Sequence, residues 1–125
     1  MPSSVREIAD ALVAHCKADT TYEALDTLYA EDAVSVEAMP NPETGSAVTE
    51  SVKGIHGKHE WWDNSMDVKE MHIGGPFMHG DDRFAVTFRG DVIEKASGNP
   101  FPLDEVAVYT VKDGKIVLEE FFYTM

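Results

Sequence analysis

The sequence predicts an α+β fold, and three observations carry that prediction. Apolar residues recur at helical spacing through the first third, they alternate with polar residues through the second half, and turn-forming clusters separate the alternating stretches. Helical order first and strand order afterwards argues for segregated α+β rather than repeated β-α-β units.

Ser4 followed by Glu7 fits a capping box, and Val5, Ile8, Ala9, Leu12 and Cys16 then recur on one helical face, so residues 4–18 read as an amphipathic helix. Thr20 and Glu23 repeat the capping pattern, and Ala24, Leu25, Leu28 and Tyr29 give a second helix that stops near Asp32. Val34, Val36 and Ala38 alternate with Ser35, Glu37 and Met39, which predicts a strand; Pro40, Asn41, Pro42 and Gly45 then break it into a long rim loop over 40–53. Gly54 to Gly57 opens a third segment, a short helix over His56 to Met66, whose Trp61, Trp62 and Met66 suit an apolar surface. Residues 68–78, 83–94, 101–111 and 115–123 read as an antiparallel meander joined at His-Gly-Asp-Asp, Ala-Ser-Gly-Asn-Pro and Lys-Asp-Gly-Lys turns. Phe84, Val86, Phe88 and Val92 share one face of their strand, while Arg83, Thr87, Arg89 and Asp91 share the other.

Composition bounds the function. The 125 residues are 43% hydrophobic and 26% charged, which predicts one domain over 1–125 with one core. Ten Lys and Arg against 23 Asp and Glu leave a net charge of -13, a field that repels phosphate backbones and anionic lipid, so neither nucleic acid nor a membrane is an expected partner. The longest apolar runs reach only about four residues, against the ~20 of a spanning helix. The N-terminus lacks the apolar stretch of a secretory signal, and the expected location is cytoplasmic. Cys16, the single cysteine, excludes an internal disulfide and reads as a buried helix residue rather than a nucleophile.

The element order, together with Leu28-Tyr29-Ala30-Glu31-Asp32-Ala33-Val34, Gly54-Ile55-His56-Gly57-Lys58 and Tyr109-Thr110-Val111-Lys112-Asp113-Gly114-Lys115-Ile116, resembles the SnoaL-like, ketosteroid-isomerase-like branch of the NTF2-like superfamily over nearly the whole chain. That resemblance implies a cystatin-like cone: N-terminal helices packed in a curved, mostly antiparallel sheet, with a mouth that admits small, often apolar molecules. It also implies a homodimer through the outer face of the sheet. Ketosteroid isomerase uses a carboxylate base with a tyrosine and a protonated aspartic acid as oxyanion donors. Laid on that pattern, Glu37 takes the base position, but Val13 and Ala107 take the two donor positions. Without donors for the developing enolate, ketosteroid isomerase activity itself is not expected.

The densest chemistry lies on the last two strands, where Asp104 and Glu105 face Glu119 and Glu120. A two-residue Asp-Gly loop would pair Ala107 with Glu120; a three-residue loop would pair Ala107 with Glu119 and Glu105 with Phe121. The resemblance favours the second, which puts Glu105, Ala107 and Tyr109 on the pocket face beside Glu119, Phe121 and Tyr123. Glu105 and Glu119 would then sit diagonally in one wall, where burial and like charge would raise at least one of them toward neutral pH. The alternative is that they face solvent or the dimer surface, as most glutamates do.

Tyr123, Glu37 and His72 complete the candidate catalytic set, His72 with a partner from Glu70 or across the sheet. Trp61, Phe84, Val86, Phe88, Tyr109 and Phe121 are the expected ligand walls. His56 and His59 beside Glu60 lack His-Glu-x-x-His order and an identifiable third ligand, so neither a metal nor a cofactor is expected. The leading function is binding of a small apolar or carbonyl-bearing molecule, with cofactor-independent acid-base catalysis of isomerase, cyclase or dehydratase type. The alternatives are a noncatalytic ligand carrier, a dimeric assembly module, or an adaptor using the outer sheet face.

Overall fold

The computed structural model describes residues 4–41 and 44–123, so Pro42 of the expected loop break lies outside the described residues. Among these residues the elements run α1 (Val5–Ala18), α2 (Thr21–Leu28), β1 (Tyr29–Val36), β2 (Val48–Glu50), α3 (Ser51–Ser65), β3 (Met66–His79), β4 (Arg83–Glu94), β5 (Pro100–Lys112) and β6 (Lys115–Phe122). The strands form one six-stranded sheet in the order β2-β1-β6-β5-β4-β3. Every neighbouring pair is antiparallel except β1 with β6, which is parallel.

The Ser4 capping box forms in full: the Ser4 hydroxyl accepts from the Glu7 amide, and the Glu7 carboxylate accepts from the Ser4 amide. The second expected box does not form. The Thr20 hydroxyl turns back to α1, 2.7 Å from His15 Nδ1 and donating to the His15 carbonyl, because α1 ends in a left-handed Asp19 that folds the two helices together.

The second helix also ends at Leu28 rather than near Asp32, and Tyr29 already belongs to β1. Tyr29 is drawn into the sheet by pairing with Ile116 of β6, a long-range contact that overrides the local helical spacing. The expected rim loop likewise contains more order. Val48–Glu50 pairs with β1, and α3 begins at Ser51, five residues before the expected His56.

Ile8, Ala9, Leu12 and Val13 of α1 and Ala24 and Leu25 of α2 pack with Ile55 of α3 onto the inner sheet face, against Phe84, Val86, Ala107, Tyr109, Val111 and Ile116. Phe84 and Tyr109 stack with ring centroids 5.0 Å apart. In β1 the interior face carries Ala33 and Ser35, not Val34 and Val36: small residues let α3 come close to the strand, and the valines take the outer face. A second cluster, Met66, Val92 and Leu103 with Trp62 and Phe101, closes the far end of the sheet. Alternate residues on each strand of β4, β5 and β6 therefore project into the space between sheet and helices.

Candidate functional site

The hairpin between β5 and β6 decides which glutamate enters that space. Asp113 and Gly114 both have positive φ, 52° and 75°, as a two-residue type I′ turn requires, and Lys112 pairs with Lys115. A bulge then shifts the register by one, so that Thr110 pairs with Leu118, Tyr109 with Glu119 and Ala107 with Phe121. The bulge restores the expected faces, with Glu105, Ala107 and Tyr109 inside beside Glu119 and Phe121. It corrects the pairing, however: Glu119 lies two residues farther along, opposite Tyr109 rather than Ala107, and the Ala107–Phe121 pair separates it from Glu105.

Glu119 is 2% exposed. It lies beside Ser35 in the parallel β1–β6 pairing and accepts hydrogen bonds from the Tyr29 and Ser35 hydroxyls, while its Oε1 is buried without a hydrogen-bond partner. Burial raises its pKa to about 7, against the opposing pull of Lys58 and of the two hydroxyls. Glu105, half-buried and opposite Phe88, is also raised to about 7, first by burial and then by Glu37, with Lys58 again opposing. Both carboxyls can therefore give or take a proton near neutral pH.

Glu37 follows β1 and is held by Lys58, with Nζ 2.6 Å from its Oε1. The Tyr123 hydroxyl donates to Glu37, and burial, followed by the Glu37 charge, raises the tyrosine pKa. Lys58 also donates to Ser35 Oγ at 2.6 Å and stands 4.6 Å over the Phe121 ring. Around these groups opens a cavity of about 2210 Å³, running from Leu12 and Glu119 at its floor to Pro40, Trp61 and Ala96 at its mouth. That exceeds the ~300–1000 Å³ of most ligand sites because the open mouth is included.

Trp61, Phe88, Tyr109 and Phe121 line this cavity as expected, with Trp61 46% exposed at the rim. Phe84 and Val86 do not. Both are fully buried in the core, where the α1 and α2 side chains cover the end of β4 that carries them. His72 borders the same cavity, but its side chain turns away from the acid-base wall. It pairs in register with Arg89 on the opposite sheet face from Phe88, its side chain is 71% exposed, and its Nε2 lies 2.8 Å from Glu70 Oε1. The bulge between Val68 and Glu70 sets that orientation, so His72 is an exposed hydrogen-bonding neighbour of Glu70 rather than a member of the acid-base group.

Ser35, Tyr29 and Lys58 reach the site without having been singled out, and His59, weighed only as half of a metal site, reaches it too. Ser35 and Glu37 are two apart on one strand face, and Lys58 lies three after the buried Ile55 on α3; both spacings were visible in the sequence. His59 lines the cavity, and burial, followed by Lys58, lowers its pKa. His56 instead stacks on Tyr22 and bonds Asp26 at 2.8 Å. No group of three or more metal-ligating side chains occurs among the described residues. The Cys16 thiol lines the cavity but is pushed up to about 11 by burial and then by Glu119, so it stays protonated. Val13 and Ala107 are buried and apolar and supply no side-chain donor. No helix among the described residues is long and apolar enough to cross a membrane.

The family model described as a SnoaL-like domain matches residues 3–123. Among solved structures, a protein from Mesorhizobium loti with the provisional designation of SnoaL-like polyketide cyclase is 36% identical with a TM-score of 0.88, covering 97% of this chain and 100% of its own. An NTF2-like protein from Burkholderia thailandensis has a TM-score of 0.80 at 17% identity, covering 96% of this chain and 90% of its own. TerC, co-crystallised with polyporic acid, has a TM-score of 0.70 at 20% identity, covering 94% and 89%. The last two establish the NTF2-like α+β cone and nothing finer. No curated protein sequence matches the chain.

Proposed function

The chain belongs to the SnoaL-like domain family, and from that premise we propose that it binds a small apolar, carbonyl-bearing metabolite in the cone and moves a proton on it without a cofactor, in an isomerisation, cyclisation or dehydration. The observation that carries this reading is the pair Glu105 and Glu119, two carboxyls raised to about 7 within one aromatic-walled cavity. Glu105, the more accessible of the two, is the group that meets the ligand. Glu37, paired with Lys58 and Tyr123, holds the adjoining wall, and Glu119 is the acid behind it. The ligand in TerC supports a small organic molecule as the kind of occupant. The reading includes a cytoplasmic protein and a homodimer joined through the outer sheet face, where Val106 and Phe122 pair across β5 and β6 and are both exposed.

The test uses cyclohexanone and 2-cyclohexenone as probes in deuterated buffer, with proton NMR following loss of their exchangeable α-proton signals. The proposal expects exchange above the buffer rate and a fall of at least ~100-fold for Glu105→Gln. Unchanged exchange in that variant removes Glu105 from the mechanism. A second reading, the noncatalytic carrier, is favoured by the apolar Val13 and Ala107 at the donor positions. It expects probe binding with no exchange above buffer in either protein.

A further inference from the structure

Lys58 has two short contacts, to Glu37 Oε1 and Ser35 Oγ, each at 2.6 Å. An ammonium group has donors and no acceptor, so at the second contact the serine oxygen accepts. The serine's one hydrogen is then free for another partner, and Ser35 gives it to Glu119, its neighbour in the parallel pairing of β1 with β6. Tyr29 donates to the same carboxyl.

We propose that Lys58 is the positioning residue of this site: by donating to Ser35 it turns the serine hydrogen onto the buried Glu119 carboxyl beside it, and so sets how readily that carboxyl gives up its proton. The other groups facing Glu119 fit this role. Glu37 on the same side as Ser35 is held by Lys58; Glu105 adds negative charge from β5; Tyr109 and Cys16 stay neutral, the first kept well above the usual phenol range by burial and the second pushed up to about 11. Without the ammonium, the Ser35 hydroxyl is free to rotate toward Glu37 and compete with its bond to Glu119. Two carboxyls would then compete for the one serine hydroxyl hydrogen, and ionisation of Glu119 would become harder.

This inference deepens the acid-base reading and rests on it for its meaning, but its test needs neither ligand nor turnover. Glutamate labelled with carbon-13 at the side-chain carboxyl is titrated by NMR in the wild type, Lys58→Met, Ser35→Ala and the double variant, with the Glu119 signal identified by its loss in Glu119→Gln. Lys58→Met is expected to raise the Glu119 midpoint by about one pH unit, tenfold in proton affinity. Ser35→Ala is expected to raise it too, and the double variant by less than the sum, since both remove one relay. An additive double variant would mean that Lys58 acts only through its charge, and an unmoved midpoint in Lys58→Met would mean that it does not act on Glu119; either overturns the proposal. Should Lys58→Met fail to fold, Ser35→Ala decides alone, and an unchanged midpoint there overturns it as well. Failure of the ketone exchange with the expected titration intact would instead count against the catalytic reading.

Discussion

Replacing Glu119 with Gln should make the protein more stable in alkali and leave it nearly unchanged in mild acid. The carboxyl is 2% exposed, one oxygen lacks a partner, and its pKa is raised from 4.5 to about 7. A carboxyl whose folded pKa is raised costs nothing extra while it is protonated in both states. Its ionisation costs the folded state progressively as pH climbs from the unfolded value through the folded one. Here that window runs from 4.5 to about 7, and at 1.36 kcal/mol per unit the full cost is about 3 kcal/mol. Gln copies the protonated acid: its carbonyl oxygen can accept from Tyr29 and Ser35 while its amide nitrogen takes the place of the protonated oxygen. Thermal unfolding followed by circular dichroism at pH 5 and pH 8 should therefore give similar midpoints at pH 5, with the variant higher by roughly 10 °C at pH 8. A variant that is destabilised equally at both values would refute the reasoning, because it would mean that Glu119 is ionised and satisfied throughout.

Phe84→Ala removes a fully buried ring stacked on Tyr109 and should cost about 3–5 kcal/mol, read by urea unfolding; a cost below about 1 kcal/mol would return Phe84 to the cavity wall. Gly90→Ala would drive a Cβ into the Glu70 carbonyl of β3, so it should lower stability by about 1–3 kcal/mol, checked by the same denaturation; neutrality would argue against the close crossing of β3 and β4. His72→Ala should leave ketone exchange unchanged, since His72 lies on the outer face bound to Glu70, and a loss of exchange would put it back in the site.

Local patterns carried much of this structure. The Ser4 box, the α1 stripe and the bounds of β4 are set by residues close in sequence, and the structure has them as the sequence predicts. The start of β1 at Tyr29 and the pairing of Val48–Glu50 depend on partners far along the chain, so helical spacing and a Pro-rich stretch pointed elsewhere. In the site, Glu105, Glu119 and Tyr123 come together because alternation along β5 and β6 assigns them one face, and Glu37 joins them from the end of β1. The bulge that moves Glu119 opposite Tyr109 leaves no mark in a run of Ile, Val and Leu. Alternation also could not separate Phe84 and Val86 from Phe88: all three share a face, and only the placement of α1 and α2 over one end of β4 divides core from cavity. Lys58 went unnoticed because a helix lysine is ordinarily solvated; its role appears only when α3 lies across β1.

The central claim is that Glu105 and Glu119 of the unliganded protein hold and release protons near neutral pH. Carbon-13 NMR titration of their side-chain carboxyls in the wild type tests it most directly, with each signal assigned through its Gln variant. The account predicts that both midpoints lie near 7, well apart from the other glutamates. Midpoints near 4.5 for both would contradict it, leaving the cone a binding pocket without an acid-base pair.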